Sequence, residues 1–409
     1  MNFLKLNKLG PGLLYAGAAI GVSHLVQSTR AGASFGLIMI AVVIVVNILK
    51  YPFFQYGPRY TAATGNSLLD GYKKLGSWAV WLFFFLTLGT MFIIQGAITM
   101  VTAGLAKYIT SSTLDIWVWM LLISIFSWVI LGYGKLKLLN TFMKVVMLVL
   151  AVTTIAAAIA SIFTEIPKEV ISAPFRMTNS EHLFFIIAFI GWMPAPIDIS
   201  VWYSVWSQES TISNKPLKLQ DSLFDFSVGY WGTAFLAVCF VALGAMMLHN
   251  TGTVLSSSAV VFSGQIIEAY TLSLGNWATP IISVAAFTTM LSTTITVMDG
   301  LTRVMVPTIA KIAPKPYSLN RYSSWSFTLV AGSLFIIWKF GSNMKSLVDL
   351  ATTISFLTAP IIGYLNIKVM SSDYILTEFK PSVTTQVISY LGLGSLVILS
   401  VVFLTVRFF

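Results

Sequence analysis

The side chains that could do chemistry in this chain are few, and most lie inside long apolar stretches. His24 is the one imidazole in residues 11–29, and Asp198 is the one charged residue in residues 183–206. Met193 lies in the same stretch as Asp198, directly before a proline. Imidazole, carboxylate and thioether groups bind divalent transition metals, so these three residues are candidate metal ligands. As alternatives, His24 is a buried core histidine or a proton carrier, and Asp198 stabilises the start of a helix.

A second group of polar side chains is expected beside that site in a supporting role. Gln95 lies in the apolar stretch 77–106, and Ser292 and Thr293 lie in the stretch 276–298. Hydroxyls inside helices often bond to their own backbone, and a buried amide often bonds to a neighbouring helix. We place Ser292 and Thr293 near the site, with Gln95 as the weaker candidate.

The composition assigns these residues to a membrane protein. The 409 residues include 24 Lys and Arg and 14 Asp and Glu, so 9% are charged, against about 25% in soluble domains. Hydrophobic residues make up 57% of the chain, and the mean hydropathy is +0.86. These values exclude a disordered chain, a collagen-like fibre and an ordinary soluble enzyme. The single Cys239 excludes a disulfide framework and a cysteine-built metal site.

Eleven apolar stretches are long enough to cross a bilayer as helices, since a spanning helix needs roughly 20 residues. The first carries His24 in its middle and lacks a signal-peptide cleavage site, so we interpret it as a retained helix. The predicted spans are 11–29, 34–57, 77–106, 113–132, 138–163, 183–206, 223–248, 276–298, 322–339, 346–370 and 384–406. The connection 249–275 is either a solvated connector, which we favour, or includes a surface helix.

The distribution of basic residues predicts the orientation of these spans. With the N-terminus in the cytoplasm, 16 of the 24 Lys and Arg residues fall on the cytoplasmic side and 7 outside, while Lys50 falls within the second span. No specific role is predicted for Lys50. We expect a multi-pass protein of the cell (plasma or inner) membrane with an external C-terminus. The basic residues are scattered singly, so the net charge of +10 does not predict nucleic-acid binding.

The first and sixth spans contain helix-breaking residues. The first has Gly10-Pro11-Gly12 at its entry and Gly21 well inside it, and the sixth contains two prolines within residues 191–198. Each proline lacks an N–H group and clashes with an earlier carbonyl, so the Ile190 carbonyl is left free. Unwound backbone inside a membrane survives when it is buried in protein or lines a wet cavity.

The breaks occupy matching places in two blocks of five spans, about 11–163 and 183–370, with an extra helix at about 384–406. This arrangement is typical of inverted-repeat secondary transporters, whose site lies between two discontinuous helices. The sequence therefore predicts an all-α polytopic transport protein with one transmembrane domain over residues 1–409. The predicted substrate-binding residues are Gly21, Ser23, His24, Ile190, Met193 and Asp198.

The chain resembles the Nramp transporters, proton-coupled carriers of divalent transition metals with a LeuT-type fold. Residues 10–36 are similar to the family's first helix and the turn after it, without a gap. Arg59 and Thr64-Gly65 match the end of its second helix, and Met193-Pro194 matches the start of its sixth-helix motif, Met-Pro-His. The resemblance implies a LeuT-type 5+5 inverted repeat plus an eleventh helix, and metal transport.

The departures from the family pattern fall where the metal would bind. The first-helix signature Asp-Pro-Gly-Asn is replaced by Gly21-Val22-Ser23-His24, and Ala195 stands where the family has histidine. The acidic residues of the family's third helix have no counterpart, because residues 75–106 carry no charge. We therefore expect altered or absent proton coupling.

Two functions remain open at this point. The first is an Nramp-like transporter that moves a divalent metal cation by alternating access, with His24, Met193 and Asp198 as ligands. The second is a LeuT-type symporter of a small organic solute such as an amino acid. An enzyme is not expected, because no nucleophile–base set is evident. We expect no cofactor beyond a transported cation, and no partner beyond the lipid bilayer and the transported ion or solute.

Overall fold

Helices occupy all eleven predicted positions, and the first is made of three pieces. The computed structural model describes residues 10–132, 136–166, 174–213, 218–313, 319–340 and 343–408. The first span consists of α1 (Pro11–Ala19), a π-helical segment (Val22–Ser28) and α2 (Thr29–Phe35). In the described ranges the other α-helices are α3 (Ile38–Thr64), α4 (Leu68–Leu75), α5 (Ser77–Ile109), α6 (Ile116–Gly132), α7 (Leu136–Phe163), α8 (Ser180–Trp192), α9 (Ile199–Ser213), α10 (Leu219–Met247), α11 (Ala259–Leu274), α12 (Thr279–Ile312), α13 (Leu319–Phe340), α14 (Met344–Met370) and α15 (Val383–Phe408).

The length and surface of the helices fit a multi-pass membrane protein. Of the described helices, α3, α5, α10, α12, α14 and α15 are each long and apolar enough to cross a bilayer without interruption. The sixth span is divided between α8 and α9. Large apolar side chains are exposed on outer helices, among them Ile125, Ile159 and Val401. A lipid environment is the one in which such a surface is stable.

Several elements differ in extent or type from the sequence prediction. The first span continues to Phe35 instead of ending at 29, so Arg30 is buried within it and does not lie in an outer loop. The chain then turns at Gly36, whose φ of +69° favours glycine. The connection 249–275 contains a helix, α11, so the favoured solvated connector was wrong. The helix α4 was not predicted, although Ser67 and Asp70 form a capping box at its start.

The first span packs closely against α10 at both of its ends. A Cβ atom on Gly12 would lie 2.2 Å from the carbonyl oxygen of Asp225, and one on Gly244 would lie 2.2 Å from that of Thr29. These distances are far below van der Waals contact, so both positions need glycine. On its other side α1 packs against α12, which also contacts α5 and α7. The broken first span thus lies in the middle of the bundle.

Candidate functional site

The first break lies at Ile20 and Gly21, between α1 and the π-helical segment. The Thr293 hydroxyl of α12 lies 3.1 Å from the carbonyl oxygen of Gly17 and 2.9 Å from that of Ile20, which are left without helical partners by the break. A Cβ atom on Gly21 would lie 2.6 Å from the Thr293 side chain. Glycine at position 21 therefore lets Thr293 come close enough to bond to this backbone.

His24 joins the first break to α10. The ring is fully buried, and its Nε2 lies 2.9 Å from the carbonyl oxygen of Thr233. A carbonyl oxygen only accepts hydrogen bonds, so Nε2 carries the hydrogen and donates it. The other ring nitrogen, Nδ1, lies 2.7 Å from the Ser23 hydroxyl and 3.0 Å from the Ala19 carbonyl oxygen. Both nitrogens of His24 thus face protein groups in this conformation.

The second break lies between α8, which ends at Trp192, and α9, which begins at Ile199. Its freed carbonyls are bound by a lysine from another helix. The Nζ atom of Lys50, on α3, donates to the carbonyl oxygens of four residues of the sixth span: Ile190 at 3.0 Å, Gly191 at 3.3 Å, Met193 at 2.9 Å and Ala195 at 3.0 Å. We call these four carbonyls the carbonyl cage. The Ile190 carbonyl is the one that the sequence predicted to be free.

Asp198 lies just before α9 and is 6% exposed. Its charge and that of Lys50 are close enough to interact. The positive ammonium therefore lies at the C-terminal end of α8 and the negative carboxylate at the N-terminal start of α9. Each charge is opposite in sign to the partial charge at the half-helix end beside it, and this attraction stabilises the interrupted span.

A small cavity lies between the two breaks. Its lining includes Ala19 and Ser23 from the first span, Ala195 and Pro196 from the sixth, and Thr293 from α12. The space open to the centre of a water molecule is about 20 Å³, enough for one water or one ion of similar size. The described lining residues carry no carboxylate and no imidazole. Gly21, His24, Met193 and Asp198 are adjacent in sequence to lining residues and Ile190 is two positions from one, but none of the five lines the cavity itself.

One end of the bundle is closed by a carboxylate on α10. Asp225 accepts hydrogen bonds from the amide of Gly10 at 2.9 Å, the amide of Gly12 at 2.7 Å and the hydroxyl of Tyr203 at 2.9 Å. It thereby binds the start of α1 to α9 and α10. We call Asp225 and its three partners the N-terminal latch.

The opposite end is closed by an ion pair between α2 and α14. Arg30 binds the carboxylate of Asp349 through both terminal nitrogens, at 2.7 and 3.1 Å. The same guanidinium donates to Gln27 at 2.8 Å, and Gln27 reaches both Asp349 and Thr352. Arg30 is 4% exposed, whereas Asp349 borders a larger open cavity. We call this ion pair the opposite latch.

Comparison with known sequences assigns the chain to a family. The model of the family described as natural resistance-associated macrophage protein-like, or Nramp, matches residues 12–406. The chain belongs to the Nramp family. It is therefore a membrane transporter and not an enzyme. An uncharacterised protein of Pasteurella multocida (strain Pm70) is 34% identical over 372 residues, which cover 90% of this chain and 85% of that protein.

Solved structures give the same architecture for this Nramp-family protein. A variant of the manganese transporter of Eremococcus coleocola matches with a TM-score of 0.69 and 13% identity, over 96% of this chain and 85% of that one. The transporter MhsT in complex with L-phenylalanine matches with a TM-score of 0.65 and 15% identity, over 97% of both chains. Mhp1, a nucleobase-cation-symport-1 family transporter, matches with a TM-score of 0.60 and 16% identity, over 97% and 92%. The predicted LeuT-type fold is confirmed.

The supporting residues of this Nramp-family protein are all buried in helices beside the cavity. Gln95 donates to the Thr294 carbonyl at 3.3 Å, while its side-chain oxygen has no hydrogen-bond partner. The Ser292 hydroxyl also has none. Thr293 alone of the three lines the cavity. Among the residues that the structure describes, no group of three or more His, Cys, Asp or Glu side chains is placed to hold a metal ion.

Sequence reasoning did not assign Lys50, Asp225 or the pair of Arg30 and Asp349. A signal was present for Lys50, since a lone lysine in an apolar span usually faces the bundle interior and a partner. Nothing local in the sequence identifies that partner, because the carbonyl cage is about 140 residues away along the chain. For Asp225, the paired glycines Gly10 and Gly12 offered free helix-start amides, which bind carboxylates.

Proposed function

We propose that this Nramp-family transporter carries a divalent metal cation by alternating access. The observation that supports the proposal is the cavity between the two breaks, whose volume suits one ion and not a larger solute. The resemblance to the manganese transporter of Eremococcus coleocola supports the same cargo. Borderline ions such as Mn, Fe, Co or Zn accept the mixture of oxygen, nitrogen and sulfur ligands that this region offers.

In the proposed site the two breaks share the ligands. The hydroxyl of Ser23 and the backbone at Gly21 and Ile190 supply oxygens, and Met193 supplies a thioether. Asp198 supplies the carboxylate, because it lies between Pro196 and Ile199, which both line the cavity. In the conformation described, the Asp198 carboxylate bonds to backbone amides at the start of α9, and His24 donates to Thr233. We therefore place metal coordination by His24, Met193 and Asp198 in a step at which one latch is released.

We further propose that the N-terminal latch faces the cytoplasm and the opposite latch the outside of the cell membrane. The excess of Lys and Arg on connections at the Gly10 end supports this orientation. The repeats are proposed to span about 11–163 and 183–370. Proton coupling differs from that of the family or is absent, since residues 75–106 of the third span carry no charge.

A small organic solute is the second candidate cargo. The cavity lining is mainly apolar, and the ammonium of Lys50 lies beside the break, where it would repel a divalent cation. Both features suit a neutral or anionic solute better than a metal. The similarity to MhsT, solved with L-phenylalanine, adds support. This cargo needs a larger cavity, formed when a latch opens.

Calorimetric titration of the purified protein distinguishes the two cargoes. We expect saturable heat with Mn²⁺, Co²⁺ or Cd²⁺, and no heat with Mg²⁺ or small amino acids. Asp198→Asn should abolish metal binding, because it removes the one carboxylate of the proposed site. The matched control Asp373→Asn changes an exposed carboxylate and should bind as the wild type does. No heat of binding with any metal, together with heat from an organic solute, would establish the second candidate instead.

A further inference from the structure

The carbonyl cage has the form of a cation site. Four backbone oxygens lie within 2.9–3.3 Å of one nitrogen atom, and that nitrogen has three hydrogens to share among them. Backbone carbonyls arranged in this way replace the hydration shell of an ion in membrane proteins. Unwound carbonyls and half-helix C-termini coordinate the coupling ion in transporters with broken helices. In this protein the coordinated cation is the ammonium group of Lys50.

The surroundings of the Lys50 ammonium suit a cation that stays in the carbonyl cage. Lys50 is 2% exposed, and its Nζ lies 5.9 Å from the centre of the Phe54 ring, whose face attracts cations. The stem of the side chain crosses from α3, which is continuous, to the unwound part of the sixth span. Asp198, at the other side of the break, interacts electrostatically with Lys50.

We propose that Lys50 is a tethered cation that occupies a monovalent-cation site in the broken sixth span. The site takes a small monovalent cation of the alkali or alkylammonium class when the lysine is removed. With Lys50 present, the break is held together without an ion from solution, so transport has no requirement for sodium or potassium. The proposal holds for a metal cargo and for an organic cargo alike, because the cage lies beside the cavity and is already filled.

Chemical rescue tests the proposal. Lys50→Ala removes three methylene groups and the ammonium, which together have the shape of propylammonium. Thermal unfolding would be measured for the wild type, Lys50→Ala and the exposed-lysine control Lys73→Met. The salts, at equal ionic strength, would be sodium, potassium, methylammonium, propylammonium and choline chloride. We expect the midpoint of Lys50→Ala to be several degrees lower in choline and to rise saturably with propylammonium and the small cations. The wild type and Lys73→Met should have the same midpoint in every salt.

Three outcomes would overturn the proposal. The first is a saturable stabilisation of the wild type by sodium or potassium, since its cage would then not be full. The second is a folded Lys50→Ala protein that responds to no small cation, or that is as stable as the wild type in choline. The third is failure of both Lys50→Ala and the stem-retaining Lys50→Met to fold even with propylammonium present. The measurement needs no cargo, so its result is independent of the calorimetric test of the proposed function.

Discussion

The polar residues at the two breaks bond mainly to backbone. Thr293 binds the freed carbonyls of the first span, and Lys50 binds those of the sixth. His24 donates across to the Thr233 carbonyl. An unpaired carbonyl in hydrocarbon costs several kcal/mol, so the contacts of Thr293 and Lys50 replace helical N–H donors that the breaks remove. Thr293 and Lys50 therefore stabilise the unwound backbone, and His24 joins the first break to the continuous helix α10.

Thr293→Val tests this role of the hydroxyl. The substitution keeps the shape of the side chain but removes the single hydroxyl hydrogen that the carbonyls of Gly17, Ile20 and Thr289 share. We expect a loss of stability of about 1–3 kcal/mol, measured by denaturation in detergent micelles. The matched control is Thr288→Val in the same helix, because the Thr288 hydroxyl bonds to carbonyls of its own helix. Equal stability of the two variants would contradict the assigned role.

The positions of the breaks follow from the sequence, whereas the partners of the freed groups do not. Glycines and prolines interrupt a helix wherever it packs, so the breaks near Gly21 and Pro194 were predicted and are present. Which side chain reaches Ile190 depends on how α3 lies against the sixth span. The same holds for Arg30 and Asp349, which are 319 positions apart. Periodicity predicts helices, but a single sequence does not give their mutual orientation.

Among the elements, α1 is a short helix whose start is held by one charged side chain, Asp225. The N-terminal latch binds its first turn through the amides of Gly10 and Gly12, and a carboxylate also complements the positive end of a helix. Elsewhere α1 meets its neighbours through close packing and through the Thr293 hydroxyl, which bonds to the Gly17 carbonyl. Release of Asp225 is therefore expected to loosen α1 while leaving the uninterrupted helices in place.

Hydrogen exchange on Asp225→Asn tests this expectation. The neutral amide accepts weaker hydrogen bonds and does not compensate the helix dipole, so amides of α1 should exchange about tenfold faster. The rates in α12 and α14 should stay unchanged. Asp373→Asn, on the exposed surface, serves as the control. Unchanged exchange in α1 would show that packing alone holds this helix.

The helix bundle is closed at both ends by the two latches, and the cavity between the breaks has room for one water molecule or ion. The N-terminal latch joins α1 to α9 and α10, and the opposite latch joins α2 to α14. Each latch involves one half of the first span. Alternating access requires that only one end opens at a time. Removing either latch alone should therefore leave the barrier to passive ion flow intact.

A double variant tests this at the level of transport. In proteoliposomes that contain a metal-quenched dye, Asp225→Asn or Asp349→Asn alone should leave the membrane tight to Mn²⁺ in the absence of turnover. The two substitutions together should produce a passive leak, because neither end is then held shut. A single variant that leaks as fast as the double one would mean that the other latch provides no barrier.

The glycine contact between α2 and α10 has a mechanical consequence. A Cβ atom at Gly244 would lie 2.2 Å from the Thr29 carbonyl oxygen, so the backbones of α2 and α10 are in direct contact. A swing of α1 that keeps this contact must pivot at Ile20 and Gly21, and it must open the matching contact between Gly12 and the Asp225 carbonyl. Cross-linking α2 to α10 should then leave the transport cycle intact.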